Sequence, residues 1–185
     1  MPEHAFESLA GRLLVASPSL VDPNFARSVI LLIEHSPTGA VGLVLNRPTE
    51  AGLLDHLPAW WSVAARPQVV FVGGPVGDGG GVGLARGVGG TPLEGWPEVL
   101  GIQAIDLEEE PSSDTNLEAR VFAGYCGWGA GQLESEFATG SWFSVSGTAE
   151  DAFSSEPERL WEEVLQRSGG RLAWFSTYPI DPRLN

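Results

Sequence analysis

The sequence predicts a β-rich domain in which short helices lie between many short strands. Three observations carry this expectation. The apolar runs are short, the longest aliphatic one covering residues 29–33; 24 glycines and 14 prolines break the chain into turns; and 185 residues suffice for the core of one domain. The same punctuation argues against a bundle of long helices, and residues 1–185 read as a single domain without repeat or linker.

Residues 12–16 are the first expected strand, and the prolines and aspartate of residues 17–23 make the loop after it. Residues 27–34 are the clearest strand. Their Val29-Ile30-Leu31-Leu32-Ile33 does not alternate, as expected of a strand covered on both faces. Ser36-Pro37-Thr38-Gly39 supplies a turn, and residues 40–45 return as the hairpin partner. Thr49 is placed to N-cap a short helix that runs through Leu57 and stops at Pro58, with Trp60 and Trp61 in the connection that follows. Further strands are expected at residues 68–72, 82–85, 100–107, 120–125 and 142–145. Residues 73–90 are glycine-rich, and the acidic stretch 108–114 reads as a solvated loop because clustered like charges repel. Helices are expected at residues 131–138 and 156–167. In the second, Leu160, Trp161, Val164 and Leu165 share a face, Pro157 suits the first turn and Gly169 can end it.

Charge narrows the function. Ten basic residues against 24 acidic ones give a formal net charge of −14, and every basic residue is arginine. A P-loop, a pyridoxal-type Schiff base and a lysine nucleophile all need the lysine that is missing. With no basic cluster to neutralise phosphates, duplex nucleic acid is a disfavoured partner. One cysteine, Cys126, cannot form an internal disulfide, which fits a reducing compartment. No signal-peptide pattern or membrane-length apolar run is visible, so the expected location is cytoplasmic. No glycine triple fits GxGxxG, there is no GxSxG, and His4, His35 and His56 lack metal-site spacing. No cofactor and no metal is expected.

Two groups of residues are candidates for binding. Asp22, His35, Asn46 and Arg47 lie at a loop and two strand ends and would form one polar rim if those converge. The plainer reading is turn hydrogen bonding with an Arg47 ion pair to Glu34 or Asp22. The second group is the glycine turn and helix start, Gly127, Gly129, Gly131, Gln132 and Glu134, where free backbone N–H groups could meet an anion or another backbone. Capping and the helix dipole explain the same residues without a ligand. Cys126 follows an apolar strand beside a helix start, and reads as a buried small hydrophobe before it reads as a reactive thiol.

The segment Gly124-Tyr125-Cys126-Gly127-Trp128-Gly129-Ala130-Gly131-Gln132-Leu133-Glu134-Ser135-Glu136, running on to Ser141-Trp142-Phe143, is the most informative of the chain. Together with Ser28-Val29, Glu34-His35, Gly39-Ala40-Val41-Gly42, Asn46-Arg47-Pro48 and Gly73-Gly74-Pro75-Val76, it resembles the bacterial YqgE/AlgH family. The resemblance implies an α+β fold in which a bent, bifurcated β-sheet closes into a pseudo-barrel with flanking short helices. It also brings a transcriptional-regulator label, for which this chain offers no helix-turn-helix and no basic face. Family members often carry Ala or Ser where this chain has Cys126, so a shared chemistry does not depend on the thiol.

The leading expectation is a non-catalytic binding or regulatory protein that recognises a protein or small ligand, using its glycine-rich surface and some of its seven tryptophans. The rival is an enzyme acting on a small polar or anionic molecule, with His35 as acid or base, Asn46 and Arg47 on an anionic group and Asp22 orienting the imidazole. The transcriptional regulator is the third. A titration of labelled duplex DNA near ~150 mM salt separates it from the others: we expect no sub-micromolar, sequence-preferring binding, because so few phosphates can be neutralised.

Overall fold

The structure, a computed structural model, describes residues 6–90, 98–112, 114 and 116–180. Its strands are β1 (Arg12–Ala16), β2 (Val29–Ser36), β3 (Gly39–Val44), β4 (Pro48–Gly52), β5 (Val69–Val72), β6 (Val76–Gly87), β7 (Glu98–Val99), β8 (Ile102–Ile105), β9 (Leu117–Gly129) and β10 (Trp142–Ser146). Its helices are α1 (Leu53–His56), α2 (Pro58–Trp61), α3 (Gln132–Ala138), α4 (Ala149–Ala152), α5 (Leu160–Ser168) and α6 (Gly170–Phe175). The strands build a strongly curled, largely antiparallel sheet, a half-barrel, in the order β10-β1-β2-β3-β9-β6-β8-β7.

The curl divides along β9. The first part of this strand, Val121 to Ala123, lies parallel to Val70 to Val72 of β5, and beyond Tyr125 the same edge pairs instead with β3, where Gly42 faces Cys126 and Gly39 faces Gly129. Its other edge carries β6. The division falls at Gly124, whose φ is +73°. A Cβ added there would stand 2.4 Å from the carbonyl oxygen of Gly74, and one added to Gly74 would stand 2.2 Å from the Tyr125 carbonyl. Two backbones therefore cross with no room for a side chain, and glycine is required on both.

Apolar burial follows the curl in three clusters. Inside it, Leu13, Val15, Leu31, Leu43, Phe71, Leu84 and Phe122 pack against Leu160, Trp161, Val164 and Leu165 of α5. On the outer face of one branch, Leu14, Ile30, Leu32, Val44, Cys126, Trp128 and Trp142 pack with Leu133 of α3. On the outer face of the other, Ala85, Ala119 and Val121 lie under Leu53 and Trp60 of α1 and α2. Covering both faces of β1, β2 and β3 explains why Val29-Ile30-Leu31-Leu32 is apolar without alternation. Arg120 is buried on β9, its guanidinium 4.4 Å over the ring of Phe71, and it donates to the carbonyls of Arg66, Ala152 and Ser154. Burial pushes its pKa down to about 10, which leaves it cationic at neutral pH.

Several elements depart from expectation. The helix expected from Thr49 through Leu57 is confined to α1, and the Thr49 cap is absent: Thr49 lies in β4, which pairs with β5, and its hydroxyl donates to the carbonyl of Val70 at 2.6 Å. Trp60 and Trp61 belong to α2, which Pro58 begins. The short strand at residues 82–85 is the middle of the longer β6, and β9 continues through the glycines as far as Gly129. Leu100 and Gly101, both at positive φ, split the strand expected at residues 100–107 into the hairpin of β7 and β8. Of the acidic loop, Ser113 lies outside the described residues, as does the end of the chain from residue 181.

Gly124→Ala tests the crossing. Positive φ alone costs about 1–2 kcal/mol in a residue with a Cβ, and the overlap with Gly74 adds to it, so the melting temperature falls by several degrees, at roughly 2–4 °C per kcal/mol for a chain of this size. Gly129→Ala, where the added methyl meets nothing closer than 4.0 Å, stays within about 0.5 kcal/mol of the parent.

Candidate functional site

Asp22, Asn46 and Arg47 come together, and what they build is a loop. Asn46 follows β3 and its carboxamide extends the sheet: Oδ1 accepts the N–H of Val29 and Nδ2 donates to the carbonyl of Arg27, each at 2.9 Å. Arg47 donates to the carbonyls of Pro23 at 2.8 Å and Ala26 at 3.0 Å. Asp22 accepts the N–H of Asn24 at 2.8 Å, an Asx turn. The ion pair expected for Arg47 is replaced by these two carbonyls. His35 is elsewhere. It pairs with Ala40 near the hairpin turn, whereas Asn46 sits by Val29 at the other end of β2, so the four residues do not form one rim. An extended strand separates its ends by its full length, which is the physical reason.

His35 instead joins the second group. Its side chain is 4% exposed, Nδ1 accepts the N–H of Leu9 at 2.9 Å, and Nε2 lies 2.9 Å from Glu134 Oε1. Since Nδ1 accepts, Nε2 carries the proton and donates to the carboxylate. The Glu134 carboxyl is held below its ordinary pKa by its own backbone N–H and then by His35. Gly131 takes a left-handed φ of +74°, while Gly127 and Gly129 lie within β9. The N–H of Gly129 is occupied by Gln132 Oε1 at 3.1 Å, so the turn is closed by the helix it precedes.

Glu136, one turn further on, ties this region together. Its Oε2 accepts the indole N–H of Trp128 at 3.0 Å and that of Trp142 at 2.8 Å, while Oε1 takes the amide of Gln132 at 3.1 Å. The two indoles are buried and meet edge to face at 6.3 Å. Gln132 and Glu136 are four apart on the helix, a spacing that marks them as partners, whereas nothing in the spacing marks Trp128 and Trp142; their signal, visible only afterwards, is an acid on a short helix between two tryptophans. Cys126 is buried, its thiol donates to the carbonyl of Gly73 at 3.4 Å, and burial pushes its pKa up to about 12. It is a packing residue with no accessible thiolate near neutral pH.

Two adjoining cavities lie elsewhere on the sheet. A chamber of about 290 Å³ is lined by Ile33, Val41, Leu43, Val82, Leu84, Ala104 and Tyr125, with Glu34 the charged residue of its wall. A wider groove of about 590 Å³ adjoins it, because Ile33, Glu34 and Val41 line both; its other walls include Ala10, His35, Thr38, Glu98 and Val99. A bulge in β2 between Leu32 and Glu34 puts Ile33 and Glu34 at this shared mouth. A third hollow, about 670 Å³, lies on the other branch between Thr49, His56, Val70, Asp106, Glu108 and the glycines of β6. Among the described residues no three of His, Cys, Asp and Glu gather as a metal site, and no helix is long and apolar enough to cross a membrane. Residues from β2, β3, β6, β8 and β9 meet in the chamber, and no local pattern announces such an assembly.

Residues 13–173 match the family described as AlgH-like. A UPF0301 protein of Streptomyces avermitilis is 48% identical, covering 96% of each chain, and one of Thermobifida fusca is 43% identical over the same shares. Among solved structures, a crystal structure from Corynebacterium diphtheriae has 29% identity and a TM-score of 0.85, covering 94% of each chain. The solution structure of the AlgH protein from Pseudomonas aeruginosa has 25% identity and a TM-score of 0.67, covering 98% of this chain and 100% of that one.

Thermal melts separate packing from recognition at the glycine motif. Trp128→Ala removes a buried indole and two of its contacts, and should destabilise by roughly 3–5 kcal/mol. Gln132→Ala, at an exposed helix start, should cost no more than about 1 kcal/mol. An unchanged melting temperature for Trp128→Ala would reassign the motif to a binding surface.

Proposed function

We propose that this chain, which belongs to the AlgH-like family, is a non-catalytic, cytoplasmic binding protein whose ligand sits in the two adjoining cavities on the sheet. The observation that carries the reading is the pair of adjoining cavities that share Ile33, Glu34 and Val41. An apolar chamber beside a more polar groove is the usual form of a small-ligand seat, and the apolar part is lined by sheet residues. The groups most able to do chemistry are otherwise engaged: both ring nitrogens of His35 are hydrogen-bonded, and the Cys126 thiol is buried and protonated. That weighs against the enzyme reading. The acidic charge weighs against the transcriptional one, since a DNA-binding surface would have to work against a net −14. A regulatory role remains compatible, with occupancy of the seat as the signal.

The experiment is to purify the protein from a bacterial lysate, denature it and identify released small molecules by mass spectrometry, beside an Ala104→Trp variant that fills the chamber. A compound released by the parent and absent from the variant supports the seat. No compound, or equal release from both, overturns it.

A further inference from the structure

The charge of the same seat points to the class of ligand. We propose that it takes an organic cation with an apolar body: the body in the chamber, the ammonium or guanidinium group at Glu34 and Glu98. This rests on the placement of the seat proposed above and adds its chemical selectivity.

The two cavities differ in the way such a molecule differs from end to end. The chamber is walled by aliphatic side chains and Tyr125, and its one charged residue, Glu34, also lines the adjoining groove. Glu98 also lines that groove, next to Val99. Neither carboxylate has an ion-pair partner among the described residues, whereas most arginines near acidic side chains are already paired: Arg27 with Glu162, Arg86 with Glu118 and Glu150, and Arg167 with Asp151. Among the described residues no arginine lines either cavity, and the chain contains no lysine. His35, the remaining titratable group of the groove, donates through Nε2 to Glu134 and accepts from Leu9, so as bonded it brings no positive charge to offset the acids.

Two acids of one sign beside an apolar wall focus a negative potential, which concentrates cations and repels anions. A carboxylate or phosphate ligand would lose its water to face Glu34 and Glu98 with no arginine among the described lining residues to receive it. A neutral apolar molecule could fill the chamber but would gain nothing from the groove. The bulge in β2 makes the arrangement possible, because it presents Ile33 and Glu34 together at the mouth where a regular strand would turn one of them to the other face.

Three six-carbon probes read the selectivity: hexylammonium, hexanol and hexanoate, each titrated into the full chain while amide and methyl NMR signals of Ile33, Val41, Val82 and Leu84 are followed. The expected order of affinity is hexylammonium, hexanol, hexanoate, with the cation several-fold tighter than the alcohol and its advantage shrinking as salt is added. In Glu34→Gln/Glu98→Gln, whose exposed sites leave the fold unaffected, the advantage disappears while hexanol binds as before. If hexanol or hexanoate equals or exceeds hexylammonium while the same signals move, the cation is wrong and the seat stands. If no probe moves these signals, the seat falls and the inference with it.

Discussion

The half-barrel depends on a steric constraint at one crossing, where Gly73-Gly74 passes Gly124. A Cβ on Gly73 would lie 2.3 Å from the Gly124 carbonyl oxygen, and one on Gly124 would lie 2.4 Å from that of Gly74. Because the two backbones come this close, β9 can change partner from β5 to β3 along one edge within a few residues. The curl, the separate outer clusters and the adjoining cavities are consequences of that change. Arg120 ties β9 to the segments at Arg66 and at Ala152 to Ser154, using three carbonyls where a carboxylate would ordinarily be found.

What was legible in the sequence follows from how local each signal is. The β2–β3 hairpin, α3, β10 and α5 announce themselves through apolar runs, turn residues and a helical stripe, all within one element. The glycine pairs were legible as a demand for close approach, though the partner of Gly124 could not be read from its neighbours. Thr49 misled because a hydroxyl before a short apolar run caps a helix as readily as it bonds a neighbouring strand; tertiary pairing with β5 decided the matter. The start of α4 carried a readable signal in Thr148 and Asp151, which form a reciprocal capping box.

The candidate site was less legible. Asn46 and Arg47 stood out as polar residues at a strand end, and their work is to tie residues 17–28 to the sheet through backbone groups. His35 and Glu134 were singled out separately and meet only because α3 folds back beside the hairpin. Ile33, Glu34, Tyr125 and Ala104 come from segments far apart in the chain, so their shared cavity is a property of the curl and of no single stretch. Charge was the exception: the lack of lysine and the excess of acids are visible in composition, and they bear on the groove as much as on the whole surface.

The position of β9 also sets an order in time. Its partners β3, β5 and β6 are all complete by residue 87, whereas β9 begins at Leu117. A nascent chain therefore presents several unsatisfied strand edges before the strand that joins them has been made. Pairings of such long sequence separation form slowly, and open edges invite association with other chains. The acidic stretch before β9 lies in this waiting segment, and its like-charge repulsion, with the weak strand propensity of the glycine-rich start of β6, opposes premature pairing. The last third of the molecule is thus what commits the first two-thirds to a single sheet.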